Sequence, residues 1–387
     1  MLVGRPSAVK PRLVTPVFDI ENVSEDGVIL RMMGGRPSAA AVAGTDLADS
    51  RGLVEAASFV IDLLERPASE VRVAEGQLEL LDDVVVEGHP DRFELTPLSP
   101  APPGTVWAID GGSCTLADGR SFQVGATRAA RVRFRDGATD IVEAPPLDVR
   151  ALTADEAARL YRERLDRMDA PEAEELPRIT RPIDVLRECD EWDLVRRTVA
   201  EAEPDDLVLV DGSLHGGPLV PAAVIRDIHR EAIERRVHLA GVVKASTLFW
   251  GRNAPLVGLV KRRGDRELER TPWTARISTD PVFRRLYVGE IYVARLAATA
   301  GHAFRVDVAR GPADPSEVLA RLAGCSDDAA FVGYPYPLAR AHRAARVSGY
   351  AVADLRRSFR GALASVGMSE DDIETLFQDF HEVLNRS

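Results

Sequence analysis

The sequence predicts an α/β fold: a mixed sheet flanked by helices, preceded by an irregular N-terminal extension and followed by C-terminal helices. Two observations carry this. Between Thr105 and Ala144 three strand-like runs follow one another, separated only by turn residues, so they pair as a meander. Beyond them apolar strands alternate with segments of helical apolar spacing, and a strand–helix–strand unit demands a right-handed parallel crossover.

Taken in order, residues 1–50 carry repeated Gly, Pro and Ser (GRPSAVKP, then GGRPSAA) and read as an extension, with Val14–Phe18 and Gly27–Met32 as a candidate strand pair. The duplicated GRPSA is too short for a structural repeat. Leu53–Arg66 has helical spacing, Val71–Glu87 is ambiguous, and the Pro-rich residues 97–104 form a linker. The chain therefore divides into an accessory region, 1–104, and a catalytic core with C-terminal helices, 105–387. The core opens with TVWAID, SFQVGATRAARVRF and DGATDIVEA as strands. Helices follow at Ala154–Met168 and Ile183–Ala202, then the apolar strand DDLVLVD, a helix over Pro218–Arg236, and the strand HLAGVVK. The charged stretch from Arg252 to Arg270 reads as a loop. EIYVARLAA and AFRVDVA are two further strands, and Pro315–Ala323, Leu338–Val347, Ala351–Val366 and Asp371–Leu384 are the closing helices. Three strands, helix, strand, helix, strand is the ribonuclease-H-like order, parts of which many unrelated folds share.

The formal net charge of −12 excludes a protein that coats nucleic acid by its own charge, since phosphate binding is mostly the work of cations. It leaves room for a metal-dependent enzyme, whose acidic residues hold ions that bring positive charge to the site. No run of eighteen apolar residues exists, so no membrane span is expected, and MLVGRPSAVKPRL has no apolar stretch of the secretory kind. Cys114, Cys189 and Cys325 are odd in number and far apart. They suit neither a disulfide framework nor a zinc site, and a cytoplasmic location is expected.

Two strands end in the same chemistry. WAIDGGS and LVLVDGS each place an aspartate, Asp110 and Asp211, after an apolar run, followed by Gly and a small hydroxyl residue. The plain reading of Asp-Gly is a turn, and Asp118-Gly119 and Asp136-Gly137 are other instances. The repeated strand context favours something more. Neighbouring strands lie about 4.8 Å apart, so two such carboxylates can share a cation. A two-ion site needs a third carboxylate. Glu188 and Glu191, three apart on the helix before the Asp211 strand, are both candidates by spacing, beside the ordinary reading of solvated helix charge. His342 can ligate a metal or move a proton near neutrality. Tyr334 is an aromatic with a polar handle between apolar residues, and Lys244 ends an apolar strand, where it either snorkels or meets a phosphate.

Four stretches in order, AIDGGS (108–113), LVLVDGSL (207–214), GVVKAS (241–246) and GYPYPLARAH (333–342), together resemble the NurA nuclease domain from about Thr105 to about Val352. The last stretch is the specific one. The resemblance implies a Mn²⁺-dependent DNA nuclease, with Mg²⁺ as an alternative ion. It also implies 5′→3′ exonuclease and single-strand endonuclease activity, ring-like homodimers, and work in DNA end resection with a hexameric HerA-type ATPase. By motif, Asp110, Asp211 and Glu191 become metal ligands, Glu191 because it follows Arg187 as in the family's R…E pattern, with Glu188 its rival. His342 completes the metal site or assists catalysis, Tyr334 is its partner in the motif, and Lys244 contacts a phosphate. The DGG-Ser of the first motif, where a plain DGS is expected, and the long N-terminal extension depart from the pattern.

Two basic clusters are candidates for a DNA surface. One is Arg252, Lys261, Arg262, Arg263, Arg266 and Arg270, preceded by Phe249 and Trp250; the other is Arg340, Arg343, Arg346, Arg356, Arg357 and Arg360. Two rival readings stand beside the nuclease: a non-catalytic ribonuclease-H-like adaptor for a DNA-translocating ATPase, which the intact carboxylate set opposes, and an actin-like or sugar-kinase-like ATPase, for which no G-x-x-x-x-G-K-[ST] loop is present.

Overall fold

The computed structural model describes residues 86–118, 122–170, 182–215, 220–251, 254–311, 313–365, 367–371 and 374. The expected strand pair in residues 1–50, the helix over 53–66, nearly all of the ambiguous stretch 71–87, and almost all of the last helix, 371–384, lie outside them.

Strand β1 (Leu95–Pro97) precedes the meander, which is formed by β2 (Val106–Asp118), β3 (Phe122–Arg135) and β4 (Ala138–Glu143). β5 (Asp148–Thr153) leads into helices α1 (Ala154–Arg167) and α2 (Pro182–Glu201). Then come β6 (Leu207–Val210), α3 (Ala222–Arg235) and β7 (His238–Val243). The short β8 (Phe249–Trp250) and β9 (Ala254–Pro255) pair with each other ahead of α4 (Leu256–Glu267), β10 (Trp273–Arg276) and α5 (Pro281–Leu286). β11 (Gly289–Arg295), β12 (Phe304–Ala309), α6 (Pro315–Gly324), α7 (Tyr336–Ala345) and α8 (Gly349–Ser365) complete the described chain. None of the described helices is long and apolar enough to cross a membrane.

One mixed sheet runs in the order β1-β10-β11-β12-β7-β6-β2-β3-β4, with β5 also on β3. Its central five strands, β4-β3-β2-β6-β7, are an antiparallel meander followed by two strands parallel to β2. This is the ribonuclease-H-like arrangement, with α3 as the crossover from β6 to β7. β3 is long enough to serve two neighbours: its second half pairs with β4 and its first half with β5.

The sheet is covered on both faces, which is why β6 reads LVLV with all four residues buried rather than alternating. One face, through Trp107, Ile109, Val208 and Val210, packs on Val185, Trp192 and Val195 of α2 and on Val224 and Ile228 of α3. The other, through Val106, Ala108, Leu207 and Leu209, packs on Leu319 and Leu322 of α6 and Leu338 and Ala341 of α7. Each fully buried Leu contributes on the order of 2 kcal/mol to this packing.

The charged stretch 252–270, expected as a loop, is largely α4. Leu256 and Val260 sit one helical turn apart and bury against the sheet. Charges of both signs occupy the remaining faces as intrahelical pairs, Lys261 with Asp265 and Arg263 with Glu267. Trp250 is buried, so it offers no stacking surface. β1, β5 and β10 were not expected as strands; they are short or polar and owe their conformation to the neighbours they pair with.

β12 carries two charges into the interior. Arg305 and Asp307 are fully buried and face each other, Nε donating to Oδ1 at 2.8 Å and Nη2 to Oδ2 at 3.1 Å. Asp307 Oδ2 also accepts from Tyr287 Oη at 2.5 Å and from the backbone N–H of Leu214 at 3.1 Å. The carboxylate thereby ties the loop after β6 to the neighbouring half of the sheet. Removing it leaves a buried guanidinium uncompensated, so Asp307→Ala is expected to cost about 3–5 kcal/mol of stability in urea unfolding. Asp227→Ala, which breaks the exposed Arg230 pair on α3, is expected to leave the midpoint unchanged.

Candidate functional site

Register places the two aspartates side by side. The last β2–β6 pair is Ile109 with Val210, so Asp110 and Asp211 stand side by side where β6 ends. The strand expected to stop at Asp110 does not stop there: β2 runs on to Asp118, because its other edge stays paired with β3. The Asp211 N–H still donates to the Ile109 carbonyl at 3.3 Å. Along each strand alternate residues share a face. Asp110 follows Val106 and Ala108, and Asp211 follows Leu207 and Leu209, so both acids project toward the layer that holds α7. There His342 meets them: its Nδ1 lies 2.6 Å from Asp110 Oδ2. One ligand atom from each of Asp110, Asp211 and His342 falls within 4.8 Å of the other two.

Lys244, just past the end of β7, reaches the same point. Its ammonium is ion-paired with Asp211 Oδ2, lies 3.4 Å from His342 Nδ1, and sits 5.5 Å from the centre of the Tyr334 ring. The Tyr334 hydroxyl is buried without a hydrogen-bond partner among the described residues. Burial, followed by the charges of Asp211 and Asp110, pushes its ionisation far above the usual phenol range, so it stays a neutral O–H donor.

Glu191 comes from the opposite layer. It is buried on α2, its Oε2 accepting from Arg187 Nη1 at 2.9 Å. Burial raises its pKa well above the ordinary carboxyl value; Arg187 opposes this, and the charges of Asp110 and Asp211 add to it. Those charges mark Glu191 as a neighbour of the aspartate pair and set it apart from its rival Glu188, which is only partly buried. Gly111 lets Glu191 come close. A Cβ there would lie 2.9 Å from Glu191 Oε2 and 2.9 Å from Arg187 Cγ. Gly112 points the other way, and a Cβ on it would run into the carbonyl of Ala345 at the end of α7. The Gly-Gly of the first motif, which departs from the plain DGS expected, thus lets α2 approach from one face and α7 from the other. Gly241 on β7 similarly leaves room for the carbonyl of Gly212, behind Asp211.

All six residues singled out in the sequence, Asp110, Glu191, Asp211, Lys244, Tyr334 and His342, therefore belong to one neighbourhood. Arg187, named in the sequence as the start of the R…E pattern, pairs with Glu191. Sequence reasoning missed other residues that hold the site in place. Arg128 on β3 donates to the carbonyls of Ala345 (3.3 Å) and Arg346 (3.2 Å), steadying the end of α7 behind His342. Tyr287 and Asp307 hold the loop after Asp211. A signal for Asp307 was present: Arg305 and Asp307 interrupt an apolar strand two residues apart, on one face.

The donor set suits a divalent cation. Carboxylate oxygens with one imidazole nitrogen are the ligands of Mg²⁺-, Mn²⁺- or Zn²⁺-like ions. The charge balance points the same way. Burial and then the charge of Asp110 push the Asp211 carboxyl up to about 6, against the opposing pull of Lys244 and His342. The Lys244 ammonium and the Arg187 guanidinium leave one of the three acids without a permanent cation, and the Tyr334 hydroxyl is turned toward Asp211. The His342 imidazole is half exposed while Asp110 and Asp211 are nearly covered, so the cluster meets solvent on the His342 side.

A mixed sheet of ribonuclease-H-like topology, with two acids side by side on its central parallel strands, defines the class: an α/β protein of the ribonuclease-H-like nuclease fold. Comparison with known proteins narrows it. The family model described as the NurA domain matches residues 104–347, and the chain belongs to this nuclease family. Among solved structures, the chain is similar to the NurA nuclease from Sulfolobus solfataricus, at 16% identity and a TM-score of 0.49, over 81% of this chain and 95% of that one. It is also similar to the catalytic domain of human endonuclease V, at 13% identity and a TM-score of 0.33, over 82% of this chain and 99% of that one. A. aeolicus Argonaute follows at 10% identity and a TM-score of 0.30, over 65% of this chain and 29% of that one. No curated protein matches the chain.

The raised Asp211 carboxyl has a consequence for stability. Its folded value, about 6, lies above its ordinary value of 3.8. The favourable contribution of the protonated form is thus complete below pH 3.8 and lost as pH rises through 6. Without divalent ions, Asp211→Asn is expected to melt several degrees above the wild type at pH 7.5 and level with it below pH 4. Addition of Mn²⁺ is expected to remove or reverse the difference. Thermal melts across that pH range, with and without metal, check this.

Proposed function

We propose that the protein is a metal-dependent deoxyribonuclease that hydrolyses phosphodiester bonds of DNA. The observation that carries this reading is the convergence of Asp110, Asp211 and His342 ligand atoms within 4.8 Å, with Glu191 and Lys244 beside them. Membership of the NurA family supports it. Asp110, Asp211 and Glu191 would hold the metal, with His342 completing the set; Mn²⁺ is the proposed ion and Mg²⁺ the alternative. When bound, divalent ions at such a site make water a better nucleophile at neutral pH and stabilise charge on the phosphate and the leaving oxygen.

The chain's own residues do the rest. Arg187 holds the Glu191 carboxylate on the site side of α2. Lys244, half exposed and ion-paired with Asp211, would neutralise phosphate charge where Asp211 serves as a metal ligand. Tyr334 carries Lys244 on its ring and adds a neutral O–H donor beside the aspartates. His342, at the solvent-facing side, is the residue best placed to pass a proton between the site and water.

In this reading residues 105–387 form the nuclease domain and residues 1–104 an accessory region that supplies the edge strand β1. The finer proposals are 5′→3′ exonuclease and single-strand endonuclease activity, homodimers, a cytoplasmic location, and DNA end resection with a HerA-type hexameric ATPase. The family membership motivates all of them.

The test is degradation of 5′- and 3′-end-labelled single- and double-stranded DNA with Mn²⁺, Mg²⁺ or EDTA. Cleavage is expected with the ions and not with EDTA. Asp110→Asn or Asp211→Asn is expected to slow it by about 10²–10³-fold or more while the far-UV circular dichroism stays unchanged. Undiminished cleavage by either variant overturns the metal assignment. A wild type inert with both ions, alone and with the ATPase, favours an adaptor.

A further inference from the structure

The chain is acidic overall, 61 Asp and Glu against 49 Lys and Arg, yet from Ala329 to Ala353 it contains no acidic residue. That segment holds His342, all of α7 and the start of α8. It also holds Arg340, Arg343 and Arg346, whose guanidinium groups make no ion pair or hydrogen bond with any described residue. Other exposed arginines, such as Arg226 and Arg285, are also without a carboxylate among the described residues, but they do not stand beside the acid cluster. The covered or partly covered Arg131, Arg164, Arg187, Arg263, Arg295 and Arg305 are all tied to carboxylates.

Helical geometry lines the free cations up with the site. At 100° per residue, His342 and Arg343 are neighbours on α7, and Arg346 is the C-cap residue just past its last turn. Arg343 and Arg346 are exposed, and His342 touches Asp110. The end of the helix is firmly placed, because Arg128 grips the carbonyls of Ala345 and Arg346 and Gly112 admits Ala345 against β2. Tyr350 stands just beyond, in the first turn of α8, with 90% of its surface exposed. Val352, Leu355 and Phe359 anchor α8 on Leu116, Ala117 and Val124, and Tyr350 lies on the opposite side of the helix. No described core residue holds the ring.

We propose that the exposed face of α7 and the first turn of α8 form the track for a single nucleic-acid strand at the metal centre. Arg343 and Arg346 contact its phosphates, and the Tyr350 ring stacks on a base. Unpaired cations that follow a backbone, with an aromatic ring beside them, are what a single strand requires, and base stacking tolerates any sequence. The proposal rests on the nuclease reading for its substrate and extends it to the path that the strand takes.

The experiment is fluorescence anisotropy of a 5′-labelled oligo-dT with the full chain in EDTA, over a range of KCl concentrations. For R343Q/R346Q, the slope of log K against log salt is expected to fall by about 1.4, two contacts at about 0.7 each. Affinity at low salt is expected to drop tenfold or more, and R343K/R346K to restore the slope. For Y350A, affinity is expected to fall by about 5- to 150-fold with the slope unchanged, and Y350F to restore it. Hydrolysis of bis-p-nitrophenyl phosphate with Mn²⁺, a substrate too small to reach the track, is expected to be equal in all variants. Variants that bind oligo-dT with wild-type affinity and slope overturn the track, as does a wild type that does not bind it. A wild type that binds oligo-dT yet hydrolyses neither DNA nor the small ester sinks the nuclease reading and leaves the track standing.

Discussion

The structure depends on one electrostatic constraint: three carboxylates, Asp110, Asp211 and Glu191, are crowded at the covered rim of a sheet with too little positive charge among them. Burial first, and the neighbouring acids after it, oppose the ionisation of Asp211 and Glu191. Such an arrangement persists only where the surrounding structure over-determines it, and here it does. Lys244 lies on Asp211, His342 on Asp110 and Arg187 on Glu191, so each acid has its own basic partner. A divalent cation would supply the charge that these partners leave missing.

Backbone rather than side chains creates the space for that crowding. Helices approach β2 from opposite faces, α2 with Glu191 and α7 with His342, and the positions between them are Gly111 and Gly112. Any side chain at Gly111 would displace Glu191 and Arg187. Any at Gly112 would push α7, and His342 with it, off the sheet. The same economy recurs behind Asp211, where Gly241 admits the Gly212 carbonyl and the buried Arg305–Asp307 pair grips the loop through Leu214. The site is tied down by hydrogen bonds on its protein side and open on the His342 side, where the arginines without acidic partners begin.

Much of this was legible in the residues. Apolar runs ending in Asp-Gly marked the two central strands, because only a strand buried on both faces reads LVLV without alternation. The long helical periodicities placed α1, α2 and α3 to within a few residues. The stretch 252–270 misled because its charges were taken for solvent exposure; in α4 they neutralise one another along the helix, and two apolar residues one turn apart suffice to dock it. The strands β1, β5 and β10 carry no pattern of their own, being three to six residues of pairing imposed by a neighbour.

The sequence by itself determined the order of the meander, α1, α2, β6, α3 and β7, the two aspartates that follow apolar strand runs, and the family motifs that run from Asp110 to His342. Periodicity and motif spacing are local properties, which a chain displays before it folds. Only the tertiary structure puts Glu191, rather than Glu188, against Gly111 and beside the aspartate pair, since that depends on which face of α2 meets β2. It alone set the parallel register that puts Asp110 beside Asp211, and the packing of α7 that brings His342 to them across more than two hundred residues. Those facts are distances between segments remote in the chain, fixed by how two layers close on one sheet, and no local pattern encodes them.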